Sequence, residues 1–270
     1  MSRAVGRSRS VPPLSWRRLA GFGVPVLVVG LWQLAKSAGA LPYAGISAPS
    51  SIWTATGMLI SSGELAHNLW HTLQACVGGW ALGSAIGFVL GLLLALSPLA
   101  WRWSMASIDV LRALPAITFV PIAVIVFSQT LEMEVVIAGW VSIWPVLIST
   151  IDGVRGVSEI HRDLARSLRL SLVQRVLKFA LPTALPKLGV ALRLSLAAAL
   201  VLAIVAEIVG TPDGIGYALV TEQQSLRPAA MFSYIIITGL LGLTLNYLVS
   251  WLVGLLPGAS GGATGGGYDS

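Results

Sequence analysis

The segment Leu69–Leu96 constrains this chain most, because its twenty-eight residues include no Asp, Glu, Lys or Arg. The hydrocarbon core of a bilayer takes about 20 mostly apolar residues per helix. Five further stretches approach that pattern: Leu19–Leu34, Leu114–Ser128, Val135–Ile151, Leu188–Val209 and Met231–Leu255. The first is short and carries Gln33 near its end, the second holds Pro115 and Pro121, and the third holds Pro145. Those prolines predict kinks, which a membrane helix tolerates where neighbours satisfy the freed carbonyls. Only 10% of the residues are charged and 56% are apolar, so a water-soluble domain could not hide its apolar surface, and disorder is excluded for the same reason. The expectation is an all-α membrane protein with six transmembrane helices.

Charge sets the expected orientation. Fifteen of the seventeen Lys and Arg residues fall before the first span, between the second and third, or between the fourth and early fifth. Lys36 and Arg227 alone fall on the other side. The positive-inside rule then places both termini and the 152–187 loop in the cytoplasm. The basic excess follows membrane topology and does not point to nucleic acid. The expected organisation is a cytoplasmic segment 1–18, a membrane domain 19–256 containing the 152–187 loop, and a flexible Gly-rich tail 257–270. Arginines, an apolar run and Ala38-Gly39-Ala40 outline a signal peptide, but an uncleaved first helix is the favoured reading. The lone Cys76 excludes an internal disulfide and any multi-cysteine metal site.

Gly79, Gly83, Gly87 and Gly91 stand four residues apart, which makes one helix face open to close backbone approach. Packing within the chain is favoured for it over a subunit interface. In the 152–187 loop, Leu164, Leu168, Leu172 and Val176 recur at helical spacing, and Ser171 is placed to cap a second helix. This predicts two short amphipathic helices ended by Pro182 and Pro186. Such a loop binds anionic lipid or docks a cytoplasmic partner.

Asp163-Leu164-Ala165, Arg166-Ser167-Leu168 and then Leu181-Pro182 resemble the cytoplasmic loop of binding-protein-dependent ABC importer permeases, whose pattern is Glu-Ala-Ala, a Gly four residues later, and Leu-Pro. Leu111–Pro115, Phe119–Ile122, Asp152–Arg155, Ala206–Ile208 and Asp213–Tyr217 extend the likeness in order from about Trp70 to Leu252. They are similar to the nitrate/sulfonate/taurine branch in particular. The chain departs from the pattern with Asp163 for Glu, Leu164 for Ala and Arg169 for Gly. An arginine held in a glycine turn costs about 1 kcal/mol, so the turn is expected to be re-formed there.

The resemblance implies a type I ABC importer permease fold that pairs with a second, identical permease subunit. It also implies a cytoplasmic ABC ATPase dimer, a periplasmic or lipid-anchored substrate-binding protein, and a bacterial inner-membrane location amid membrane lipid. ATP is bound by the partner, since no Gly-x-x-x-x-Gly-Lys-Ser/Thr occurs here, and no cofactor of the chain's own is expected. Asp163 and Arg166 are the expected polar contacts to that ATPase. Leu164, Ala165 and Leu168 are the apolar ones, with Arg169 and Pro182 completing the coupling loop. The implied cargo is a small organic or inorganic anion such as a sulfonate, taurine or nitrate. Glu207, Gln129, Trp144 and Ser195 are candidates for the path or its gate; each also suits a bond to a neighbouring helix. Glu64, His67 and His71 have a conceivable metal spacing, with interfacial polar residues the favoured reading. No nucleophile–base pair supports catalysis. A stand-alone secondary transporter would need more ionisable residues inside its spans; a non-transporting scaffold is the other alternative.

Overall fold

The computed structural model of the protein describes residues 14–168 and 170–255. Arg169 and the 257–270 tail lie outside the described residues, as does most of the 1–18 segment. The helices run in the order α1 (Leu14–Ser37), α2 (Pro49–Ser61), α3 (Glu64–Leu96), α4 (Pro98–Ala113), α5 (Val120–Phe127) and α6 (Leu131–Arg155). They continue with α7 (Glu159–Ser167), α8 (Leu172–Arg175), α9 (Leu181–Gly210), α10 (Gly214–Gln224) and α11 (Pro228–Gly254). Four stretches are long and apolar enough to cross a membrane: α3, α6, α11 and the run Val176–Gly210, in which a π-turn leads directly into α9. The six expected spans therefore become four full spans, a bent pair and the short apolar part of α1, Gly23–Ser37.

The bent pair corrects the third expected span. The segment 114–128 is not a full span: α4 ends before Pro115, and the arm Ala116–Phe127, a 3₁₀ turn followed by α5, leaves α4 at an angle of 81°. Pro115 disfavours helical geometry at Leu114, whose ψ of 128° is extended, and it supplies no N–H to continue α4. The arm from 116 to 127 rises only about 20 Å, short of a bilayer core of about 30 Å. By contrast, α6 runs unbroken through Pro145.

The contacts of α3, α6 and α9 are built largely from small residues. The stripe Gly79, Gly83, Gly87 and Gly91 lies against α6, so it serves packing within the chain. A Cβ on Gly83 would strike the Gly139 carbonyl, and one on Gly91 would lie 2.7 Å from the Leu147 carbonyl. On α9 the inward face reads Ala191, Ser195, Ala199, Ala203 and Ala206, all at most 1% exposed, while Val190, Leu194 and Val201 point outward. Lipid is as apolar as leucine, so burial of large side chains does not drive these helices together. Close contact between small ones does.

Candidate functional site

Two ends of the bundle gather the polar groups. At one end, α10 begins with its first three N–H groups bonded to side chains from other helices. Gly214 N–H donates to Asn68 Oδ1 at 3.2 Å, and Ile215 N–H to Thr72 Oγ1 at 2.9 Å. Gly216 N–H donates to Glu207 Oε2 at 2.7 Å. Its N-cap residue, Asp213, makes no cap bond and instead meets His67 Nε2 at 3.0 Å. A helix start leaves its first N–H groups unpaired and carries a partial positive charge. Glu207 on α9 answers both needs from inside the fold, at 0% exposure. Gly214 has φ +93°, and a Cβ there would land on the Glu207 carboxyl group. The Ala206–Ile208 and Asp213–Tyr217 motifs are thus two halves of one joint.

Beside it, His71 Nε2 sits 3.1 Å from both oxygens of Glu134, a fully buried carboxylate on α6. His67 and His71 therefore each pair with a carboxylate from another segment. No group of three or more His, Cys, Asp or Glu that could hold a metal ion occurs among the described residues.

The four expected path residues do not converge. Ser195 is fully buried and accepts Trp80 Nε1–H at 3.0 Å, which ties α3 to α9. Trp144 is half-buried, edge-on to Trp140 at 5.0 Å, beside the cluster of Ile108, Leu147 and Ile151. Gln129 is exposed between α5 and α6. Glu207 belongs to the α10 joint.

The opposite end carries the loop. Ser171 caps α8 as the sequence predicts: its Oγ accepts Gln174 N–H at 3.3 Å, while Gln174 Oε1 accepts Ser171 N–H at 3.0 Å. The expected stops fail, because Pro182 lies in the first turn of α9 and Pro186 lies inside that helix. Leu181 N–H reaches back to the Val176 carbonyl, so the helical run continues through the π-turn and Pro182 removes only one N–H from it. Leu164 on α7 and Leu168 in the turn just after it are exposed, at 46% and 58%, and Asp163 is exposed too. Ala165 differs from its expected role, since it is 3% exposed and faces the bundle. Ile160, 79% exposed, extends the outward row to three positions spaced by four. Sequence reasoning missed it, although its place four residues before Leu164 was the available signal. The Arg166 side chain and all of Arg169 lie outside the described residues.

Comparison with known proteins gives the same picture. The family described as "Binding-protein-dependent transport system inner membrane component" matches residues 87–258. An Escherichia coli protein named as an aliphatic sulfonates transport permease is 30% identical, over 86% of this chain and 89% of its own. A bicarbonate transport system permease protein of Synechococcus elongatus is 28% identical, over 87% of this chain and 90% of its own. Among solved structures, a chain of the MetNI methionine ABC transporter in an inward-facing conformation shares the fold. Its TM-score is 0.58 at 19% identity, covering 68% of this chain and 92% of that one. The chain belongs to the binding-protein-dependent transport system inner membrane components: it is a membrane permease subunit of an ABC importer, a transport component rather than an enzyme.

Proposed function

We propose that this permease carries a small anion into the cytoplasm and receives its driving force through α7. The outward row Ile160, Leu164 and Leu168 carries this reading. Two large apolar side chains on one face of a short helix, continued by Leu168 in the turn that follows it, suit the groove of a partner protein, a common recognition mode. Asp163 sits exposed within that row and adds a charged contact. The partner is an ABC ATPase dimer on the side where fifteen of the seventeen basic residues fall, and a second copy of this chain completes the membrane pair. A substrate-binding protein delivers the cargo from the opposite side. The anion class is supported by the named cargoes of the relatives, aliphatic sulfonates and bicarbonate, both of which carry negative charge.

Purification of the tagged chain in mild detergent, co-expressed with its chromosomal neighbours, tests the docking. The ATPase is expected to co-purify with the wild type and to be lost from Leu164→Glu/Leu168→Glu protein that elutes at an unchanged size. Retention by that variant would remove α7 as the docking element. Uptake of a labelled sulfonate, bicarbonate or nitrate into vesicles holding the full complex tests the cargo. Uptake of none of these, alongside import of a neutral or cationic solute, would overturn the anion reading.

A further inference from the structure

Behind α7 lies a cavity of about 290 Å³ whose walls come from five places: the ends of α3 and α6, the start of α4, the inner side of α7, and the α8 turn into α9. Three basic side chains line it: Arg155, His161 and Arg175. No Asp or Glu occurs among the described lining residues. Neither arginine has a carboxylate within ion-pair distance among the described residues. Two partly buried guanidinium groups on one apolar-walled cavity, without an acidic partner among the described residues, leave their positive charge free for an anion.

Each basic group is held in place. The Arg155 guanidinium lies over the Trp101 ring, 3.9 Å from its centroid, which fixes its plane and leaves its edge for hydrogen bonds. Arg175 donates Nε–H to the Leu170 carbonyl at 3.0 Å, so its outer nitrogens remain for other acceptors. His161 Nδ1 lies 2.7 Å from Ser158 Oγ, and its ring packs at 5.7 Å from Phe179. The remaining wall is apolar, from Leu96, Val157 and Phe179. The volume falls at the small end of ligand pockets, which suits a compact headgroup and excludes a large solute.

We propose that this cavity binds a phosphate group. Two guanidinium forks and an imidazole offer directed donors from several sides, which matches a tetrahedral oxyanion with several acceptor oxygens. The group is either the phosphate of an anionic phospholipid or free inorganic phosphate; both present the same oxygens. Because Arg155 ends α6 and Arg175 precedes α9, one bound anion links two spanning elements across the inner face of α7. The site rests on the cavity alone and does not depend on which cargo the permease carries.

The test uses the purified full-length chain after delipidation in neutral detergent. One arm offers phosphatidylglycerol against phosphatidylcholine and counts retained lipid by native mass spectrometry. The other titrates sodium phosphate against sodium chloride by calorimetry at equal ionic strength. Selective retention of phosphatidylglycerol identifies a lipid source; heat from phosphate without lipid preference identifies the free ion. In either case Arg155→Gln/Arg175→Gln is expected to weaken binding by roughly tenfold or more. Should the double variant lose its monodisperse elution, Arg175→Gln alone serves, with a loss of roughly threefold or more. Wild-type protein that binds neither probe overturns the proposal, as do variants that elute normally and bind as the wild type does. These readouts are independent of uptake and of ATPase capture, so failure here is distinct from failure of the proposed function.

Discussion

Glu207 shows how a single residue type can suggest one role from sequence and occupy another place in the fold. A carboxylate inside a span is costly unless something compensates it, which is why it reads as part of a transport path. Here the compensation comes from the start of α10, whose Gly216 N–H it accepts at 2.7 Å. Replacing it with alanine leaves that N–H buried and unpaired, at a cost of about 1–3 kcal/mol. Glutamine keeps an acceptor oxygen, so Glu207→Gln is expected to melt close to the wild type and Glu207→Ala well below it in a detergent thermal-unfolding assay. Equal midpoints for the two would show that the bond carries no stability. Gly214→Ala makes a sharper case. Its φ of +93° penalises any side chain by about 1–2 kcal/mol before the clash with Glu207 is counted. A clear fall in the melting midpoint is expected, and an unchanged one would contradict the joint. Both motifs were visible in the sequence. Their contact was not, because Asn68 and Thr72 complete it from 146 and 143 residues away.

At the scale of the helix, periodicity revealed faces but not their partners. The glycine stripe on α3 was legible from its spacing, and nothing in that spacing named α6 as the opposing helix. The packing gives a paired prediction. Gly83→Ala places a methyl group against the Gly139 carbonyl and forces α3 from α6, at about 1–3 kcal/mol. Gly57→Ala in α2 meets nothing within 4 Å and removes chain entropy from the unfolded state, a gain of about 0.4–1 kcal/mol. The first midpoint should fall and the second hold or rise; a similar shift for both would show that helix propensity, and not contact, governs these sites. The third span was misread for a physical reason. Hydropathy sums residues along the chain and carries no direction, so it does not show the 81° bend, although Pro115 marks where direction changes; Pro121 lies inside the arm beyond it. Likewise the helical pattern of the loop holds, but Pro182 does not stop it, because the π-turn Val176–Ala180 carries the helical run into α9 across that proline.

Across the whole molecule, small residues meet where α3, α6 and α9 touch, while many large aliphatic side chains face outward. Val24, Leu27 and Leu31 on α1 are each more than half exposed, as are Leu93 on α3 and Leu243 on α11. That surface fixes the solvent as lipid but does not say which end faces the cytoplasm; charge does. The α7 end carries Arg155, Arg175, Lys178 and Lys187, whereas the α10 end carries Arg227 paired with Glu222 at 3.1 Å. Translocating a cluster of cations against the membrane potential costs about 2.3 kcal/mol per charge per 100 mV, so the α7 end should remain inside. The sequence provides a clean assay, because its one cysteine, Cys76, is fully buried. Ser62→Cys and Ser225→Cys probe the α10 end, and Ser158→Cys probes the α7 end; all three serines are exposed. With the chain expressed without its ATPase in intact cells, a membrane-impermeant maleimide is expected to label the first two. It should reach Ser158→Cys only after permeabilisation. Labelling of Ser158→Cys in intact cells would reverse the orientation and place α7 beyond the reach of any cytoplasmic ATPase, removing both the docking role of α7 and the import direction together.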